Sequence, residues 1–215
     1  FISSPIAIIS LLPDILLVCV VILAAYGSGS FLLEWLRIEE TKPTEDFILA
    51  TSVGLGVIAW FSAVVAQLGL LTWWSVAIGL TIFILGGFTR IIGLITQPSY
   101  LFGPEDLSEE KPTPLSWMQY IVIALWVVAL FHFCLLPPVS PASLAGSLGW
   151  AGQWLVNGSI TTATSAVPES LNMTTGLYAM ALAFRGPHLA MMISALVGGL
   201  TLGMLYSGAK RYCGS

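Results

Sequence analysis

The chain has 215 residues, of which 57% are apolar and 8% charged, against the roughly 25% charged residues usual in a soluble domain. That composition excludes a water-soluble globular fold of this size, and a net charge of −4 with scattered basic residues excludes both a nucleic-acid-binding stripe and a polybasic lipid-binding cluster. Cys19, Cys134 and Cys213 lie far apart, so neither a disulfide nor a zinc framework is implied.

The chain begins at Phe1 rather than Met, which leaves processing or a longer parent chain as the two expectations. The first apolar stretch lacks the basic region and small-residue cleavage site of a signal peptide. A first membrane span is expected over residues 15–36, opened by Pro13 and Asp14, where proline is tolerated and an acid suits a helix start. A second is expected over 47–68 after Pro43, Thr44, Glu45 and Asp46, and a third over 73–94. Residues 97–116 form a polar cytoplasmic linker, within which 97–114 carries four prolines and five charged residues. A fourth span is expected over 117–136 and a fifth over 189–209, flanking an exoplasmic loop at 137–187. The chain thus divides into a three-span unit (1–96), the linker, and a two-span unit (117–215).

Within the loop, an amphipathic helix is expected around 143–156, carrying Leu144, Leu148, Trp150, Trp154 and Leu155. The apolar run 172–184 is too short to cross a bilayer about 30 Å thick and is expected to lie in the interface. The fold class is therefore all-α, a polytopic transmembrane helical bundle of about five spans with interfacial helices in one exoplasmic loop. Charge placement supports that count. With the amino terminus outside, Arg37, Lys42, Arg90, Lys111, Lys210 and Arg211 all fall on the cytoplasmic side, as six of the seven basic residues. Arg185 alone falls outside. A sixth span over 172–184 would put Lys210 and Arg211 on the wrong face. Trp73, Trp74, Trp117 and Tyr120 fall at span ends, where amphipathic rings settle. The glycines of Gly27-Ser28-Gly29-Ser30, Gly54-Leu55-Gly56 and Gly198-Gly199 are expected to let helices approach closely.

Three leading spans, a Pro-containing linker, a fourth span ending in Leu136-Pro137-Pro138, and the loop run Trp154-Leu155-Val156-Asn157-Gly158-Ser159-Ile160 resemble the GT-C glycosyltransferases. The likeness is to the amino-terminal part of bacterial members related to protein mannosyltransferases and lipid A sugar transferases, and it extends through the 172–184 helix to the closing span. It implies a bacterial inner membrane, with the carboxyl terminus cytoplasmic. The family carries an acid shortly after the Pro-Pro, in a run like Asp-Ala-Leu-x-Tyr-His-Leu, and the resemblance gives it the role of general base or metal partner. Here Ala142 stands at that position, with Gly146 and Ser147 in place of the aromatic and the histidine. A methyl group neither takes a proton nor binds a metal. A second acid, implied on the short helix, is replaced near Thr175. Family members also continue with further helices, so the chain is expected to be either a part of a longer protein or a shortened relative.

Other candidates are weaker. Glu169 is the one acid of the exoplasmic loop and the general base to suspect if catalysis survives, although a solvated carboxylate beside Pro168 is the commoner situation. His132, among Phe131, Phe133 and Trp126, has the chemistry to ligate a chlorophyll magnesium or haem iron, or simply to hydrogen-bond a neighbouring helix. His188 reads as a helix anchor and Arg185 as a contact for lipid phosphate. Glu34 has Arg37 at the i+3 spacing of an ion pair, with snorkelling to the interface preferred. Asn157-Gly158-Ser159 and Asn172-Met173-Thr174 match the glycan acceptor pattern, a weak signal. No protein metal site and no carrier pathway is assembled by these residues. The sequence therefore favours a non-catalytic integral membrane subunit or scaffold, with the bilayer and other membrane subunits as partners. A lipid-phosphosugar glycosyltransferase, or its front half, is the alternative, and a pigment- or haem-binding subunit the second.

Overall fold

A computed structural model describes residues 5–37, 43–96, 121, 125, 147–157 and 173–213. Among them are seven helices: α1 (Pro5–Trp35), α2 (Pro43–Gln67), α3 (Trp73–Gly86), α4 (Phe88–Thr96), α5 (Ser147–Asn157), α6 (Met173–Phe184) and α7 (Pro187–Cys213). No strand occurs among the described residues. Three stretches are long and apolar enough to cross a membrane: Leu12–Trp35, Pro43–Gln67 and Pro187–Gly208. The protein is therefore a helical membrane protein, with backbone polar groups satisfied inside each helix as lipid requires. The fourth expected span lies outside the described residues apart from Ile121 and Leu125, both helical and exposed.

Two boundaries differ from those read off the sequence. Helix α1 starts at Pro5 and runs through Pro13, so Asp14 is an interior residue of the helix and not its first-turn acid. The third apolar stretch is not one straight span. It breaks into α3 and α4, bent by 67° at Gly86 and Gly87. Helix α3, with 14 residues, is only about 21 Å long at 1.5 Å per residue. Counted as one bent unit, α3 and α4 give up to four spans among the described residues.

Helices α1 and α2 pack through small residues. A Cβ at Gly29 would strike the Ala50 carbonyl, and one at Gly54 would strike the Ala25 carbonyl, so each glycine receives the partner's backbone. These two pairs, Ala25/Gly29 and Ala50/Gly54, are each one turn apart, the small-xxx-small spacing of membrane helix contacts. On the other side of α1, Gly87 meets the backbone of Gly27, which seats the α3–α4 bend against the bundle. Gly56 and Gly199 have open space where a Cβ would stand and carry no close contact.

The main core joins Val21, Ala24 and Ala25 of α1, Leu55, Ile58 and Ala59 of α2, and Leu189 and Ile193 of α7. Trp154 of α5 and Met180 of α6 are enclosed in the same cluster. Polar groups inside it satisfy themselves locally. Ser28, Ser30, Thr51 and Ser62 donate to the carbonyls of Ala25, Gly27, Phe47 and Ile58 at 3.1, 3.1, 2.7 and 2.9 Å. Each of these hydroxyls donates to the preceding turn of its own helix and keeps its oxygen lone pairs as acceptors.

Candidate functional site

The described residues hold four acids: Asp14, Glu34, Glu45 and Asp46. Glu45 and Asp46 occupy the first turn of α2, where a carboxylate complements the helix dipole. The other two sit near opposite ends of the apolar part of α1, about 30 Å apart by helical rise, which is the thickness of a hydrocarbon layer. Each is held by an arginine from a different part of the chain.

At the Asp14 end, Oδ1 lies 2.8 Å from Arg185 Nε, with the Asp14 side chain 8% exposed and that of Arg185 42% exposed. The N–H does not point along the line of a hydrogen bond, and Oδ1 has no hydrogen-bond donor among the described residues. The short distance is nonetheless that of an ion pair, so the attraction is Coulombic and acts in a partly dehydrated setting, where it is weakly screened. Arg185 occupies the turn between α6 and α7, beside Gly186, which takes φ 109° to reverse the chain. The pair therefore ties the α6–α7 corner to the first membrane helix.

At the other end, Glu34 Oε2 lies 3.3 Å from Arg90 Nη2 of α4, with both side chains more than half exposed. The Glu34–Arg37 spacing does not produce the contact. Arg37 leaves the helix in a left-handed conformation, φ 55°, which removes the regular i+3 geometry. Glu34 reaches the bent-away helix α4 instead.

A lateral groove of about 330 Å³ opens at the start of α6, between α2 and α7. Leu55, Gly56, Ala59, Leu177, Val197 and Leu200 supply most of its wall, and Ser52, Thr174 and Thr201 its polar side chains. The Ser52 and Thr201 hydroxyls donate to Ile48 and Val197 carbonyls at 2.8 Å each, leaving oxygen lone pairs as acceptors. No group of three or more His, Cys, Asp or Glu residues able to hold a metal occurs among the described residues.

Of the residues singled out from sequence, Glu169, His132 and Ala142 lie outside the described residues. Thr175, at the position of the second implied acid, is 1% exposed within α6. His188 is exposed in the first turn of α7. Sequence reading missed the Asp14–Arg185 pair. The available signal was that the topology expected from the sequence leaves Arg185 as the one basic residue on its outer side, with Asp14 expected on that same side. No family model, curated protein or solved structure matches the chain.

Proposed function

We propose that this protein is a non-catalytic subunit or scaffold of a larger bacterial membrane assembly, built on a frame that resembles a GT-C glycosyltransferase. The observation that carries the proposal is the use made of the described acids: Asp14 and Glu34 form ion pairs with arginines of other helices or turns, and Glu45 and Asp46 occupy the first turn of α2. Buried hydroxyls are likewise engaged with their own helices. Ala142 at the family's acidic position adds to this from the sequence.

The proposed topology has five spans, the amino terminus outside and the carboxyl terminus in the cytoplasm, with α5 and α6 as non-crossing helices of the outer side. Two features support it. The ion pairs near the ends of α1 put Arg90 with Glu34 and Arg185 with Asp14, and Arg90 then falls with the cytoplasmic cations by the positive-inside rule.

Purification from native membranes in mild detergent, followed by identification of the co-migrating proteins, tests the proposal. A reproducible stoichiometric membrane partner is the expected result. A partner-free protein that turns over a polyprenyl-phosphate sugar would overturn it in favour of a glycosyltransferase.

A further inference from the structure

We infer that α6 is a half-membrane helix, standing upright in the outer half of the bilayer and held there by the Asp14–Arg185 pair, and not a helix lying along the interface. This rests on α1, α2 and α7 crossing the bilayer and not on the proposed scaffold role.

Gly176 of α6 packs on the backbone of Ala59 in α2. Gly176 precedes the last residue of its helix, Phe184, by the same eight positions as Ala59 precedes Gln67. Both contact points thus lie about 12 Å from their helix ends, and because Met173 and Thr174, before Gly176, share a groove with Ser52, before Ala59, the two helices run in the same direction. The same groove, at the start of α6, also includes Val197 of α7. Val197 is ten residues beyond Pro187, about 15 Å along the helix, near the middle of a layer roughly 30 Å thick. The end of α6 is next to Arg185, level with Asp14 near the outer end of the apolar part of α1. Met173 and Phe184 therefore differ in depth by most of the length of α6.

A helix lying in the interface needs a charged or strongly polar face towards water. Helix α6 contains no charged residue, and Thr175, Gly176, Leu177, Ala179, Met180 and Ala181 are all buried. One of its polar groups, the Tyr178 hydroxyl, hydrogen-bonds to Ser194 of α7 at 2.6 Å. The hydroxyls of Ser52 and Thr201 beside its start provide acceptor oxygens where a helix terminus in lipid needs them.

Arg185 is the one basic residue on the proposed outer side. Its contact with a buried carboxylate offsets the charge and fixes the corner from which α6 descends.

Single-cysteine variants of the full chain, with Cys19, Cys134 and Cys213 changed to serine, test this in membrane fragments open on both faces. A hydrophilic maleimide should label His188→Cys at least about tenfold faster than Met173→Cys, because thiolate and reagent are both excluded from hydrocarbon. Thr174→Cys gives a second reading at the same depth. Equal labelling at 173 and 188 would overturn the upright orientation. Adding Arg185→Gln should speed labelling at 173 by severalfold, and the exchanged pair Asp14→Arg with Arg185→Asp should restore the slow rate. No change with Arg185→Gln, or no recovery with the exchanged pair, would overturn the anchoring role. None of these rates depends on a partner protein or on sugar transfer, so the inference and the scaffold proposal fail separately.

Discussion

The two ends of the Leu12–Trp35 stretch of α1 carry the same chemical device in different surroundings. Glu34 and Arg90 meet at 3.3 Å with both side chains more than half exposed, so water and salt already solvate each charge and the pair adds little. Asp14 and Arg185 meet at 2.8 Å with the carboxylate almost fully enclosed. There the cost of stripping water from Asp14 is incurred once the bundle forms, and the arginine offsets it. Removing the exposed pair forfeits a weak attraction. Removing one half of the enclosed pair leaves a buried charge with less to balance it. An ion pair in a membrane bundle thus matters according to what would be stranded without it.

Four variants and one change of ionic strength sharpen that contrast, all read as unfolding midpoints and free energies in a mild detergent. The largest effect is expected between the two ends. Gly54→Ile drives a side chain into the Ala25 backbone and should cost about 3 kcal/mol by separating α1 from α2. Arg185→Leu strands Asp14 and should cost about 2 kcal/mol, below the value for a fully buried pair because Arg185 is itself partly exposed. Adding Asp14→Asn to that variant should recover at least about half of the loss, since the stranded charge is gone. Glu34→Gln at the exposed end should change stability by no more than about 0.5 kcal/mol. Raising ionic strength from about 0.1 to about 1 M shortens the screening length from roughly 10 to roughly 3 Å, and should erase the small Glu34→Gln effect while leaving most of the Arg185→Leu effect. Equal losses at the two ends would remove the distinction drawn from burial.

Much of the architecture was legible in the apolar runs. Spans expected over 15–36, 47–68 and 189–209 correspond to Leu12–Trp35, Pro43–Gln67 and Pro187–Gly208, because hydropathy and length report directly on what a lipid layer accepts. The expected packing role of glycine appears at Gly27, Gly29 and Gly54, while Gly56 and Gly199 face open space. The 67° bend was not legible, since a hydropathy sum over 73–94 is the same for a straight helix and a broken one. It is the seat of Gly87 on Gly27 that marks where the chain turns. The short helix α6 shows a similar limit. Its 12 residues are the basis for expecting no crossing, but length carries no information on tilt. That came from Gly176 on Ala59, a contact between residues far apart in sequence.

The candidate site was legible in part. Ala142, where the resemblance implies an acid, lies outside the described residues. The pairing of Asp14 with Arg185 could not be read from the sequence, because opposite charges separated by most of the chain have many conceivable partners. Thr175 shows how a position taken as chemically vacant serves packing, enclosed in α6 with the main core beside it.

The most direct measurement is sugar transfer by the purified full chain in lipid, using a polyprenyl-phosphate sugar as donor and a range of acceptors. The scaffold account predicts no turnover above a protein-free control, with Glu169→Gln indistinguishable from the parent. Turnover that disappears in Glu169→Gln would contradict it and make the outer loop a catalytic one.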